Sequence, residues 1–204
     1  MAAVLPTKGN LMATKRSRAL AQTGYELMDR KRNILVREMM NLMDDASRIQ
    51  KEIDTVFQDA YAALAQANIR LGICDKIAEA VEIDDTVEMR WRSVMGVELP
   101  HIPDRAPAPR PEYGFAFTSS ALDEACLKFR KVKELTREMA EIETSIYRLA
   151  QAIKKTQKRA NALQNIVIPG FDHTIRVITE ALEEKEREEF VRLKVIKKQT
   201  VQTP

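Results

Sequence analysis

What most constrains this chain is a run of apolar residues that repeats in sevens. Met28, Leu35, Leu42, Ile49, Val56 and Ala63 form one series, and Met39, Ala46, Ile53, Ala60 and Ala67 interleave with it. Spacings that alternate between three and four are those of a coiled-coil seam. Leu20 and Leu27 are read as carrying the stripe on toward the N-terminus. From residue 10 to 70 there is no proline, and Gly24 is the only glycine, so nothing in that span stops a helix.

The last third repeats the device. Leu135, Ile142, Leu149, Thr156 and Leu163 make one series; Met139, Ile146, Ile153, Ala160 and Val167 make the other. Then comes "IVIPGF", where Pro169 removes a backbone donor and crowds the preceding turn, so a kink or break is expected at Pro169 and Gly170. The stripe resumes in shifted phase as Phe171, Ile175, Ile178 and Leu182. It ends in "EEKEREEFVRLKVIKK" (183–198), where Phe190, Leu193 and Ile196 thread a heavily charged helix. Leu193 is assigned to the same seam.

Between the stripes the texture changes. "VEMRWRSVMGVELP" (87–100) alternates, with Val87, Met89, Trp91, Ser93 and Met95 on one parity, which suits a strand. "PHIPDRAPAPRP" is too rich in proline for helix or sheet interior. "EYGFAFTS" (112–119) reads as a second short strand, and "TSSALDEA" supplies caps and first-turn acids for a helix starting near residue 120.

A lone helix this long gains little from one apolar stripe in water, so the two stripes need each other. The expected fold is mainly α: a long antiparallel two-helix coiled coil, with a small β-hairpin and proline-rich element at the bend. Its parts are an N-terminal helix (1–75), a middle region (76–119) and a C-terminal helix (120–204) with a break near 169–170. Charge agrees with folding back. Residues 1–37 carry eight basic and two acidic side chains, whereas 183–189 carry five acidic and two basic. Exposed pairs are worth about 0.2–1 kcal/mol each, so charge selects register and the seam supplies stability. Leu20 and Leu193 are expected on facing helices.

Composition narrows the function classes. In 204 residues the net charge is only +3, with 31% charged and 5% aromatic residues, which argues against a dedicated nucleic-acid binder. Cys74 and Cys126 form no paired motif and fit a reducing cytoplasm. The N-terminus lacks a signal peptide's basic region, and no stretch of 18 apolar residues spans a membrane. None of the glycines opens a phosphate-binding loop. His101 and His173 lack a second metal ligand at suitable spacing. Asp84 and Asp85 read as a solvated turn, and Ser119 and Ser120 as helix caps. No catalytic, metal or cofactor site is expected. Beside the seam, Phe57, Tyr61, Leu64 and Leu71 form an extra apolar line, with Phe129 and Val132 at a comparable level on the other helix. These residues either pack on one another or on the hairpin, or contact a partner. Met40 and Met43 lie just off the stripe.

Six stretches in order carry a resemblance: "PTKGNL", "ALAQTGYELMDRKRNIL", "SVMGVELP", "YGFAFTSSALDEA", "NALQNIVIPGFDHTI" and "EEKEREEFVRLKVIKK". The chain resembles the D subunits of V/A-type ATPases and ATP synthases, the central rotor shafts of the archaeal and bacterial vacuolar-like machines. Asn33, where the family often has an acid, and the prolines of 104–111 depart from its pattern. The resemblance implies a non-catalytic stalk in the cytoplasm, peripheral to the membrane and without cofactors. Its implied partners are the catalytic A and non-catalytic B subunits, the small F subunit, and the funnel subunit above the membrane ring. It also implies coupling of ATP synthesis or hydrolysis to proton or sodium transport. A generic antiparallel coiled-coil tether and a nucleic-acid-binding coiled coil are the alternative readings.

Overall fold

The structure is a computed structural model and describes residues 5–79, 87–103, 113–114 and 118–202. Helix α1 spans Lys8–Leu71 and the four-residue α2 spans Asp75–Ala78. Strands β1 (Arg90–Val94) and β2 (Val97–His101) follow. Helix α3 (Ser120–Ala162) then runs through a π-helical turn (Leu163–Val167) into α4 (Ile168–Gln202). By packing the chain divides into two compact units, each containing part of both long helices. One joins the residues up to Asn33 with those from Lys154 on; the other is Ile34–Ile153.

Capping sets the ends of α1. The Asn10 amide donates to Thr7 Oγ1 at 3.2 Å, and Asn10 Nδ2 donates to the Leu5 carbonyl at 2.8 Å. These bonds serve groups that a helix start leaves unpaired. At the other end Gly72 has φ +81°, and its amide reaches the Asn68 carbonyl at 2.9 Å, a left-handed stop that favours glycine. Helix α3 begins where its capping residues predict, with the Ser119 carbonyl accepting from Leu122 and Asp123. The Ser119 hydroxyl does not complete the cap: it is buried and has no hydrogen-bond partner among the described residues.

In the unit of 34–153, α1 and α3 pair antiparallel in successive layers. Leu35 and Leu149 are fully buried with Leu99 of β2, flanked by Met39, Leu42 and Ile153. Ile49, Ile53, Leu135 and Ile142 form the next layer, with Val56 and Ile146 against it. Toward the helix ends Ala60, Ala63, Ala67, Ala121 and Ala125 are buried, together with Leu122 and Val132. Alanine at facing positions lets two helix axes approach closely.

The β-element differs in detail from its expected form. A single strand was expected over 87–100, but the segment contains both strands of a hairpin, with Val94 opposite Val97 and Arg90 opposite His101. Its two-residue turn is Met95–Gly96, with φ +51° and +76°, the mirror-image turn that suits the twist of paired strands. The alternating apolar parity faces outward: Met89 and Trp91 are both more than half exposed. No strand includes Tyr113, Gly114, Thr118 or Ser119, and the remainder of the expected strand over 112–119 lies outside the described residues, as do Asp84 and Asp85.

In the unit of residues up to 33 and from 154, α1 also runs antiparallel to its partner segments. Lys8 pairs with Glu186 (2.9 Å), Arg18 with Asp172 (3.1 Å), and Arg32 donates to Gln157 (2.9 Å). Helical backbone continues through Pro169 and Gly170, so the helix does not break there; a π turn lies just before them.

Candidate functional site

The hairpin is seated on the helices by side chains that no sequence motif announces. Leu99 is its apolar anchor between Leu35 and Leu149. Glu141 on α3 clamps the end of β2, accepting the Ile102 amide at 2.7 Å on one oxygen and lying 3.1 Å from His101 Nδ1 with the other. Arg148 donates to the Glu98 carbonyl at 3.1 Å and holds its guanidinium 4.5 Å from the centre of the Trp91 ring. Arg92 reaches Glu38 of α1 at 3.4 Å. The hairpin comes after α1 in the chain yet docks near Leu35, about 50 Å back along that helix from Leu71 at 1.5 Å per residue.

Beside the hairpin's exit lies a groove of about 890 Å³ lined by Asp45, Arg92, His101, Lys131, Glu138 and Glu141, among others. Its charges alternate in sign and several are already paired: Arg92 with Glu38, His101 with Glu141, and Lys131 with Glu52 at 3.7 Å. The groove is therefore part of the hairpin's seat. Among the described residues no cluster of three or more His, Cys, Asp or Glu side chains could hold a metal ion. Nor is any described helix long and apolar enough to cross a membrane.

The expected partner-contact residues do meet. Phe57 and Tyr61 stack with ring centroids 5.9 Å apart, and Phe129 meets Tyr61 edge-on at 5.4 Å. Leu64, three residues on from Tyr61, is half-buried, while Tyr61 stays 59% exposed. These rings pack on one another and still leave an aromatic face in solvent.

The seam residues sort cleanly. Leu35, Ile49, Ile53, Leu135, Ile142 and Leu149 are buried, and Leu42, Val56, Ile146, Ile153, Leu163 and Leu182 are half-buried. Leu20, Leu27 and Leu193 are not in it, being 76%, 57% and 66% exposed. The half-buried positions on this part of α1 include Leu11, Thr14, Ala21, Tyr25 and Met28, which continue the heptad of Leu35 backward in strict phase. Leu20 and Leu27 fall one residue off that phase. Leu20 also does not face Leu193: Arg18, two residues away, pairs with Asp172. Past Glu186, α4 has no opposite helix among the described residues, because α1 starts at Lys8. Phe190, Val191, Leu193, Val195 and Ile196 accordingly stand half or more exposed.

In both units helices pair antiparallel through a heptad seam, which makes this an antiparallel coiled-coil protein with a docked β-hairpin. Its relatives are specific. The family model of the ATP synthase D subunit matches residues 10–198. The V-type ATP synthase D subunit of Thermotoga neapolitana is 43% identical over 196 residues, covering 95% of this chain and 97% of that protein. The A-type ATP synthase D subunit of Pyrococcus furiosus is 39% identical over 200 residues, covering 95% and 93%. The chain belongs to the family of ATP synthase D subunits.

Proposed function

We propose that the chain is the non-catalytic central-stalk subunit of a V/A-type rotary ATPase or ATP synthase. It carries torque between the A/B hexamer and the membrane ring, and so couples ATP turnover to transport of protons or sodium ions. The family match over 10–198 carries this reading, since it covers both long helices and the hairpin together. The seam supports it physically. Layers of buried leucine, isoleucine and alanine join the helices firmly, as a shaft under torsion requires, while the outer faces stay charged and wet. Charged surfaces can slide against a surrounding hexamer without forming one deep apolar lock.

In this assignment the exposed end of α4 enters the hexamer of A and B subunits. The face bearing Tyr61, Phe57, Leu64 and Phe129 receives the small F subunit, and the opposite end seats on the funnel subunit above the ring. The chain is peripheral to the membrane and works on its cytoplasmic side. The test is reconstitution. A complex assembled without the chain should hydrolyse ATP but transport no ions, and adding the chain back should restore transport. Full ATP-driven transport without it would sink the proposal.

A further inference from the structure

Ile178 is 1% exposed, while its neighbour Val177 is 49% exposed. That contrast contains a phase problem. Continued without interruption from Thr156, Ala160, Leu163 and Val167, the heptad would put Gly170, Thr174, Val177 and Ala181 in the seam, and then Glu184. Ile178 is instead the buried one and Val177 is exposed, while Gly170, Thr174 and Ala181 of that phase are half-buried alongside Phe171, Ile175 and Leu182. At Ile178 the seam is offset by one residue.

The offset falls at the π turn. There the Ile168 amide bonds the Leu163 carbonyl, five residues back instead of four. A π turn holds about one residue more than an α turn for a similar rotation, so it takes up one residue without twisting the helix beyond it. The local sequence suits it. Pro169 has no amide hydrogen, so a regular α-helix would in any case lose the bond to the Asn165 carbonyl. A residue inserted here disrupts fewer bonds than it would elsewhere. Across the seam stands Gly24, where an added Cβ would lie 3.9 Å from Leu163 Cδ1, the first residue of the turn.

We infer that the π turn at Leu163–Val167 is a one-residue insertion that rephases α4. It is the positioning element that turns Ile175, Ile178 and Leu182 toward α1. It thereby also sets the direction in which Phe190, Leu193 and Ile196 present their faces beyond Glu186. Without it, α4 would be rotated by about 100°, the angle of one helical residue.

The experiment uses the full chain with Cys74→Ser and Cys126→Ser, carrying a single cysteine as Val177→Cys or Ile178→Cys. Alkylation should be at least about tenfold faster at 177, as burial of 178 requires. Deleting Asn165 should convert the π turn to an α turn and leave the order of reactivity unchanged. Deleting His173, beyond the turn, should abolish the difference by moving the residues after it off the seam. Inverted or equal reactivities after deletion of Asn165 overturn the inference, as does failure of that variant to fold, since the inference makes the residue dispensable to the seam. A difference that survives deletion of His173 also overturns it, because the phase would then not be set at the turn.

Discussion

Lys8 Nζ lies 2.9 Å from Glu186 Oε1, and beyond this pair the last helix runs on without an opposite helix among the described residues. The side chains of Phe190, Leu193 and Ile196 in this apolar thread are 67%, 66% and 58% exposed. A chain ending at Glu189 should melt at the same temperature as the parent to within about 2 °C, because residues 190–198 are all exposed. It should fail to enter a complex with the A and B subunits. A large fall in melting temperature would mean that the thread is packed internally; unimpaired assembly would mean that it has no partner in the hexamer.

The seam predicts opposite outcomes for two leucines. Leu149 is fully buried against Leu35 and Leu99, so Leu149→Ala should cost about 2–5 kcal/mol of unfolding free energy. Leu20 is 76% exposed, and Leu20→Ala should change stability by no more than about 0.5 kcal/mol. Urea denaturation of the two variants decides it. Similar losses in both would place Leu20 in a seam after all.

This pair also shows what could be read before folding. The heptad from Leu35 to Ala67 and its counterpart from Leu135 to Val167 were legible, because a long helix must bury whatever recurs at its own period. At Leu20 and Leu27 residue type misled: leucine looked like seam, although strict phase counted back from Leu35 points to Met28 and Ala21. The shifted phase at Phe171 was visible, but its cause was not, since a π turn leaves no pattern beyond the offset itself. Leu99, Glu141 and Arg148 were illegible because docking the hairpin joins residues some fifty positions apart through single contacts. The aromatic line of Phe57, Tyr61 and Phe129 was readable as a cluster; its partner is a matter for the complex.

Met95 sits at φ +51° in the hairpin turn, a conformation that costs most residues about 1 kcal/mol and suits asparagine better. Its side chain is 45% exposed, so little packing would be lost. Met95→Asn, which creates an Asn-Gly turn, should slow hydrogen exchange at the amides that pair β1 with β2. Glu141→Ala should do the reverse, since it leaves the Ile102 amide without its 2.7 Å partner, at a cost of about 1–3 kcal/mol. Unchanged exchange in both variants would mean that neither the turn nor the clamp governs the hairpin.

Gly24 is the only glycine inside α1 beyond its first turn, and a Cβ there would make ordinary contact with Leu163 at 3.9 Å. Gly24→Ala should therefore stabilise the chain by about 0.5–1 kcal/mol through helix propensity. A loss of stability would show that the neighbouring π turn needs more room than one methyl group leaves.

Tyr113 provides the pH-dependent prediction. Its hydroxyl donates to Asp123 Oδ1 at 2.6 Å, and its ring packs against the cluster of Ala67, Ala121 and Leu122. Burial first, and then the hydrogen bonds to Asp123 and Cys126, push the phenol well above its ordinary pKa. The folded chain thus holds this proton more tightly than the unfolded chain, where tyrosine titrates near 10. The stabilisation is complete below about pH 10 and is lost as the pH rises above it, because the unfolded state then gives up its proton first. Tyr113→Phe removes the titrating group while keeping the ring, so its stability should fall less steeply between about pH 9.5 and 11.5. The remaining tyrosines and lysines titrate in both chains, so the difference between the two profiles isolates Tyr113. Urea midpoints measured across that range supply the test, and parallel profiles would show that the Tyr113 proton is not linked to folding.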